Sequence, residues 1–222
     1  MTETLDFDKV QIAFEDGLAI LTLNDPDRLN AITPNMGLGI SAALMEVAKP
    51  RRGVRALMLT GAGRGFCAGV NLAGQAKAAE VASNLPALGA VESLFHPLVR
   101  KLRDVRVPIV SAVNGPCVGI GLVFALLSDY VIASEDAYFL VPFRNLASST
   151  DSGLSWLLTR TIGPVRARQM ILRAERVPAA RAVEWGLANV AVAKDVFAAE
   201  ARAVSDEFAQ GPTVALARMR RL

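Results

Sequence analysis

Two glycine-rich segments hold the residues of this sequence best placed to do chemistry: Gly61-Ala-Gly-Arg-Gly-Phe-Cys-Ala-Gly-Val-Asn-Leu72 and Val113-Asn-Gly-Pro-Cys-Val-Gly-Ile-Gly-Leu122. Each follows a short apolar run, and the second leads into another, Gly121 to Leu127. Glycine lets a backbone turn sharply and approach a ligand closely. A helix start adds unpaired N–H groups at the positive end of its dipole. Such a segment suits an anion, or an oxyanion that develops during a reaction. The same glycines could instead serve close helix packing, and the first segment could be a plain surface loop. A dinucleotide-binding loop fails on spacing, because the third glycine of G-x-G-x-x-G falls on Phe66. No acidic residue is evident at the end of a following strand, and this is not the first βα unit.

Side-chain candidates are few. Asp151, in Thr150-Asp151-Ser152-Gly153 before an apolar helix, is an acid/base in the apolar surroundings of Trp156, Leu154 and Phe143, or else it or Ser152 is a cap of that helix. His96, before Pro97, could polarise a substrate group or serve as a packing residue. As the single histidine, it argues against a zinc site and weakens any Ser-His-Asp reading. Cys67 and Cys117 are too few for a disulfide framework or a CxxC site, and read as small apolar fillers. Arg166, Arg168, Arg173, Arg176 and Arg181 read as a solvated helical face, and Trp156, Leu157 and Leu158 as core.

The elements that must position these groups follow from turn signals and apolar runs. Val10–Glu15 and Leu18–Asn24 flank Asp16-Gly17, a hairpin signal. Thr33-Pro34 opens a helix that runs to about Ala48. Val54–Thr60 and Pro108–Val113 read as buried strands, Tyr130–Ala133 and Ala137–Leu140 as shorter ones. An Ala-rich stretch and Leu88–Arg103 read as helical, and so does nearly everything from Gly153 onward, with one helix over Leu154–Thr161 and a separate one over Pro164–Ala174. The chain stops at 215–222 in what reads as the middle of a helix, either because the protein is short or because C-terminal residues are absent. The expectation is an α/β core over 1–162 and a helical region over 163–222.

Bulk properties narrow the partners. The 222 residues suffice for one well-buried core, and 52% hydrophobic with 20% charged is a globular composition. A formal charge of +3 gives no sign of nucleic acid, and fits an anionic ligand or a mixed solvated surface equally well. No charge-free stretch approaches the ~20 residues of a membrane span. The start MTETLDFDKV is not a signal peptide, so a cytoplasmic location is expected.

The two glycine segments, with Pro26-Asp-Arg-Leu-Asn-Ala31, Asp129 and the helical tail from Gly163, resemble the enoyl-CoA hydratase/isomerase (crotonase) superfamily over essentially the whole chain. The resemblance implies a crotonase-like (ClpP/crotonase) α/β fold of repeated ββα units, with C-terminal helices that form a homotrimer or dimer of trimers. It implies an acyl-CoA thioester as partner, with coenzyme A arriving as part of the substrate and no separate cofactor or metal. The peptide N–H groups of Val70 and Ile120 would hold the thioester oxygen. Arg28, Ala31, Ala68, Gly69, Asn71, Leu72, Gly119 and Phe143 would contact substrate or coenzyme A. Hydratases of the family use two glutamates; those positions hold Val123 and Phe143 here, which makes ordinary hydration unexpected. Phe143–Arg160 and Val91–Leu102 resemble the ring-1,2-epoxyphenylacetyl-CoA isomerase branch and some Δ3,Δ2-enoyl-CoA isomerases, and the match puts the catalytic acid/base on Asp151. It implies an isomerase of fatty or aromatic acid catabolism. A non-catalytic acyl-CoA-binding protein and a compensated hydratase remain as alternatives.

Overall fold

The computed structural model describes residues 3–71 and 91–220. Its main sheet grows from the hairpin. In β2 (Val10–Glu15), Val10, Ile12 and Phe14 are buried and alternate with partly exposed neighbours, the period-2 pattern of a half-covered strand. β3 (Leu18–Leu23) pairs antiparallel with it, Glu15 opposite Leu18. Asp16 and Gly17 both take positive φ (47° and 87°), as a two-residue hairpin turn requires. β1 (Glu3–Asp6), largely exposed, adds to the outer edge of β2.

On the other side of β3 the sheet turns parallel: β4 (Ala56–Gly61), β5 (Ile109–Val113), β7 (Tyr130–Ser134) and β10 (Val190–Val192). β5 is buried along its whole length and β4 at all but one residue, as strands covered on both faces must be. Leu57, Leu59, Ile109 and Val113 face a large core with α1 (Pro34–Val47), α2 (His96–Arg103), α3 (Ile120–Leu126) and α4 (Leu154–Arg173). Ala56, Met58, Val110 and Ala112 face a smaller one, closed by Phe197, Ala201 and Ala209 of α6 (Phe197–Gln210). Thr33 caps α1, its hydroxyl accepting from the Met36 N–H at 3.1 Å, with Pro34 at the first helical position. Three short strands, β6 (Cys117–Val118), β8 (Tyr138–Leu140) and β9 (Val177–Pro178), make a second sheet under the start of α3.

The segment expected to be almost wholly helical from Gly153 departs from that reading in two places. β9 and β10 lie within it, alongside α5 (Ala179–Trp185) and α7 (Thr213–Met219). Runs of two or three apolar residues are too short to show a period, so only tertiary pairing makes them strands. α4 is itself broken at Gly163 (φ 77°, ψ 162°) ahead of Pro164, so its two halves match the two helices expected there. The Arg220 guanidinium follows α7, its Nε 2.9 Å from an Asp129 carboxylate oxygen. Asp129 also accepts from the Ile109 N–H at 2.7 Å, a structural post at the base of β5. Among the described residues no helix is long and apolar enough to cross a membrane.

Candidate functional site

The two glycine loops follow the ends of β4 and β5 and are joined by a parallel bridge, Cys67 opposite Cys117. The Cys67 N–H donates to the Pro116 carbonyl and the Val118 N–H to the Cys67 carbonyl, each at 2.9 Å. From the bridge both chains repeat one pattern: Cys67-Ala-Gly-Val70 and Cys117-Val-Gly-Ile120. In each the glycine takes positive φ, +94° at Gly69 and +55° at Gly119. Gly119, with ψ −115°, has the geometry of the first central residue of a type II′ turn, a glycine position. A Cβ built on Gly119 would lie 3.8 Å from the Gly69 Cα, so the peptides Gly69–Val70 and Gly119–Ile120 stand next to each other.

Among the described residues, what surrounds these peptides leaves their N–H groups without an acceptor. Val70 stands opposite Ile32 in a second parallel bridge. Ile32 donates to the Gly69 carbonyl (2.8 Å) and accepts from the Asn71 N–H (2.9 Å), while the Ala68 N–H donates to Leu29 (2.9 Å). In a parallel bridge the residue flanked by those bonds uses its partner's neighbours, so the Val70 N–H points away from Ile32. Ile120 opens α3, where a first-turn N–H has no partner within the helix. Among the described residues neither N–H has an acceptor. Two free donors side by side at a helix start can share one oxygen and favour negative charge on it.

Two asparagines fix the loops. Asn30, fully buried, donates from Nδ2 to the carbonyls of Gly65 (2.7 Å) and Ala62 (3.0 Å), and accepts from the Asp25 N–H at 2.8 Å. Asn114 donates to Gly63 (2.9 Å) and Gly65 (3.2 Å) and accepts from the Gly61 N–H at 3.3 Å. Sequence reasoning passed over both; the available signals were an asparagine in the Pro26–Ala31 turn and another at the start of the second glycine loop, in Val-Asn-Gly-Pro. Cys67 and Cys117 are fully buried, and burial pushes the Cys67 thiol up to about 12 and Cys117 upward too, which leaves them inert fillers.

Ala31, Ala68, Val70 and Asn71 are half-buried beside the donors, and Gly69 and Gly119 are buried. Arg28 lies at the rim, its side chain mostly exposed and 3.7 Å from Asp25, which Lys9 also engages at 2.8 Å. Leu72 lies outside the described residues. Val123 is buried in the core and Phe143 half-buried at the start of a 3₁₀ turn, so neither hydratase carboxylate has a substitute at its own position. The cleft of about 590 Å³ between the C-terminal ends of α1 and α2, lined by Leu44, Val54 and Val105, brings together none of the predicted site residues.

Asp151 ends the loop before α4. The cap of that helix is Gly153, in the left-handed region, and no side chain caps it. The capping alternative for Asp151 and Ser152 is therefore not what the fold uses; only the Asp151 carbonyl takes part, accepting from the Leu154 N–H at 2.9 Å. Burial raises the Asp151 carboxyl above its ordinary 3.8. The Ser152 hydroxyl, the charge of His96 and the residue's own backbone N–H each pull it partly back. The Ser152 hydroxyl is buried, held at φ 53°, and makes no hydrogen bond of ordinary geometry among the described residues. One expected neighbour is corrected. Trp156, read as core and as part of the apolar surroundings of Asp151, is 62% exposed and stacks under Arg160 at 4.7 Å. One turn of helix sends Leu154 and Leu158 inward and Trp156 outward.

The enoyl-CoA hydratase/isomerase family model matches residues 13–221. The chain is 37% identical over 203 residues to the 1,2-epoxyphenylacetyl-CoA isomerase of Escherichia coli K12, covering 91% of this chain and 76% of that protein. It is 33% identical over 217 residues to a protein of Rhodobacter capsulatus described as a probable enoyl-CoA hydratase, covering 98% and 81%. Among solved structures, an enoyl-CoA hydratase from Mycobacterium avium subsp. paratuberculosis K-10 superposes with a TM-score of 0.87 at 33% identity, over 97% of this chain and 84% of that one.

Proposed function

This chain belongs to the enoyl-CoA hydratase/isomerase family, and we propose that within it the protein is an acyl-CoA isomerase that stabilises a thioester enolate. The Val70 and Ile120 N–H groups donate to the thioester oxygen. The Asp151 carboxylate removes the proton from the carbon next to the carbonyl, and the C–H electron pair moves into the enolate on that oxygen. A proton is then added at another carbon, which shifts a double bond; with an epoxide-bearing ring, the same enolate drives rearrangement. Arg28 meets a coenzyme A phosphate at the rim, and Ala31, Ala68, Asn71 and Phe143 line the path of the thioester. The protein works as a homotrimer or a dimer of trimers.

The observation that carries the reading is Asp151 itself: a half-buried carboxyl, shifted upward, which caps no helix. A carboxyl raised above its ordinary range binds a proton more strongly than a free one, which suits it to taking and returning a proton. Replacement of both hydratase glutamates by Val123 and Phe143, and the isomerase among the relatives, point the same way.

The test is turnover of a 3-enoyl-CoA, a 2-enoyl-CoA and an epoxyphenylacetyl-CoA by the wild type and Asp151→Asn, with product mass. A product of unchanged mass that disappears with the aspartate is expected. Gain of a water by wild type would instead establish a hydratase. Tight binding without product from either protein would make it an acyl-CoA-binding protein.

A further inference from the structure

His96 is the chain's one histidine. It opens α2 directly after a single π-helical turn, Val91–Phe95, a distortion that recurs at functional sites. Its ring is half-buried and makes no hydrogen bond among the described residues. α2 and α4 both pack against α3, whose first N–H is one of the two free donors. His96 opens the first of these flanking helices and Asp151 immediately precedes the second. They lie close enough for the charge of one to act on the other. The remaining groups acting on Asp151 are the Ser152 hydroxyl and its own backbone N–H, both uncharged.

We infer that His96 is the second proton-handling group of this site, working opposite Asp151 across the bound acyl chain. The inference rests on Asp151 being the base. An isomerisation must break a C–H bond at one carbon and make one at another, and an imidazole can give or take a proton in the neutral range. The Asp151 carboxylate takes the proton from the carbon next to the carbonyl. The electron pair is held on the thioester oxygen as a dienolate, opposite the His96 ring in its protonated form. The imidazolium then delivers its proton to the far carbon of the dienolate, as the electron pair returns to form the new C–H bond. The proton on Asp151 passes back to the neutral ring and restores both groups. One C–H bond is lost and one gained, and nothing else is consumed. Before substrate turns over, a positive charge on this ring also offsets part of the effect of burial on the Asp151 carboxyl.

Two measurements test this. The first is the pH profile of kcat/KM on a 3-enoyl-CoA for wild type, His96→Gln and Asp151→Asn. His96→Gln is expected to lose on the order of a hundredfold in kcat with KM little changed. Its acid limb should move to higher pH as Asp151 loses the neighbouring positive charge, and its alkaline limb should vanish. A merely structural histidine would lower the rate without moving either limb, and that result would overturn the inference. Full turnover by Asp151→Asn would sink the base itself; an inert Asp151→Asn with unmoved limbs in His96→Gln would sink His96 alone. The second needs no turnover. With one histidine in the chain, its ring signal in an NMR pH titration is read without assignment. In wild type that signal should carry an inflection from the ionisation of Asp151, above the ordinary carboxylate range, and Asp151→Asn should lack it. A wild-type signal without that inflection would show that the two groups do not sense each other, and the inference would fall.

Discussion

The donor loops and the Asp151 loop are built on opposite principles. Around Val70 and Ile120 nearly every backbone group is pinned by the Cys67–Cys117 and Ile32–Val70 bridges, the Gly119–Leu140 bond and the two asparagine clamps. The chemistry there is backbone, and the side chains serve packing. The stretch from Phe143 to Gly153 is largely exposed and runs through three left-handed residues, Ala147, Ser152 and Gly153. Its chemistry is one side chain, Asp151, held among groups that shift its proton affinity. Charge stabilisation needs donors that do not reorganise as charge develops, so it belongs on the sheet-borne framework. Acid/base placement differs from one reaction to another, so it belongs on a loop that can change without disturbing the core.

Substitutions in the two regions sharpen this contrast. The largest effect on rate is expected from Asp151→Asn, a loss of about 10³- to 10⁴-fold in kcat with KM little changed in steady-state assays. That variant should also melt higher than wild type at pH 8. Because the folded carboxyl is raised, its ionised form is disfavoured by the fold above that value, and lowering the pH through it relieves the penalty. The difference in Tm should therefore shrink as the pH falls toward 3.8, as a calorimetric series would show. Gly119→Ala is expected next, at about 10²- to 10³-fold in kcat for one misdirected donor, together with lower stability, since alanine is strained at φ +55°. Asn30→Ala should leave the Asp25 N–H and the Ala62 carbonyl without their asparagine partner and the Gly65 carbonyl with Asn114 alone, and cost about 2–3 kcal/mol in urea unfolding. Val70→Ala should change kcat least of all, because the donor is the peptide and not the side chain. A large loss there would break the contrast.

Much of the core was legible because its signals are local. Asp16-Gly17 between apolar runs specified the hairpin, and Thr33-Pro34 specified the start of α1. Gly163-Pro164 marked the break in α4. Glycine positions in the two loops were legible for the same reason, since left-handed backbone leaves few choices of residue. The Asn30 and Asn114 clamps were not, because their partners lie far along the chain and an asparagine in a loop has many uses. Trp156 was misread because a run of three apolar residues at the start of a helix does not tell which one faces outward. β10 was missed because its strand character comes wholly from its pairing with β7. Electrostatic contact between His96 and Asp151 depends on how α2 and α4 flank α3, and no local pattern encodes it.

The parallel bridge between Cys67 and Cys117 has a consequence for how activity is acquired. Strand register is counted in whole residues, and a slip of one exchanges the two faces of the chain. The pair of donors is therefore a discrete object, present in full or not at all, with no graded, half-strength form. Its two halves lie far apart in sequence, and such non-local pairings close late. In a refolding experiment, helical signal should return first. Turnover should return only in the step that protects the amides of Cys67 and Val118 from exchange with solvent.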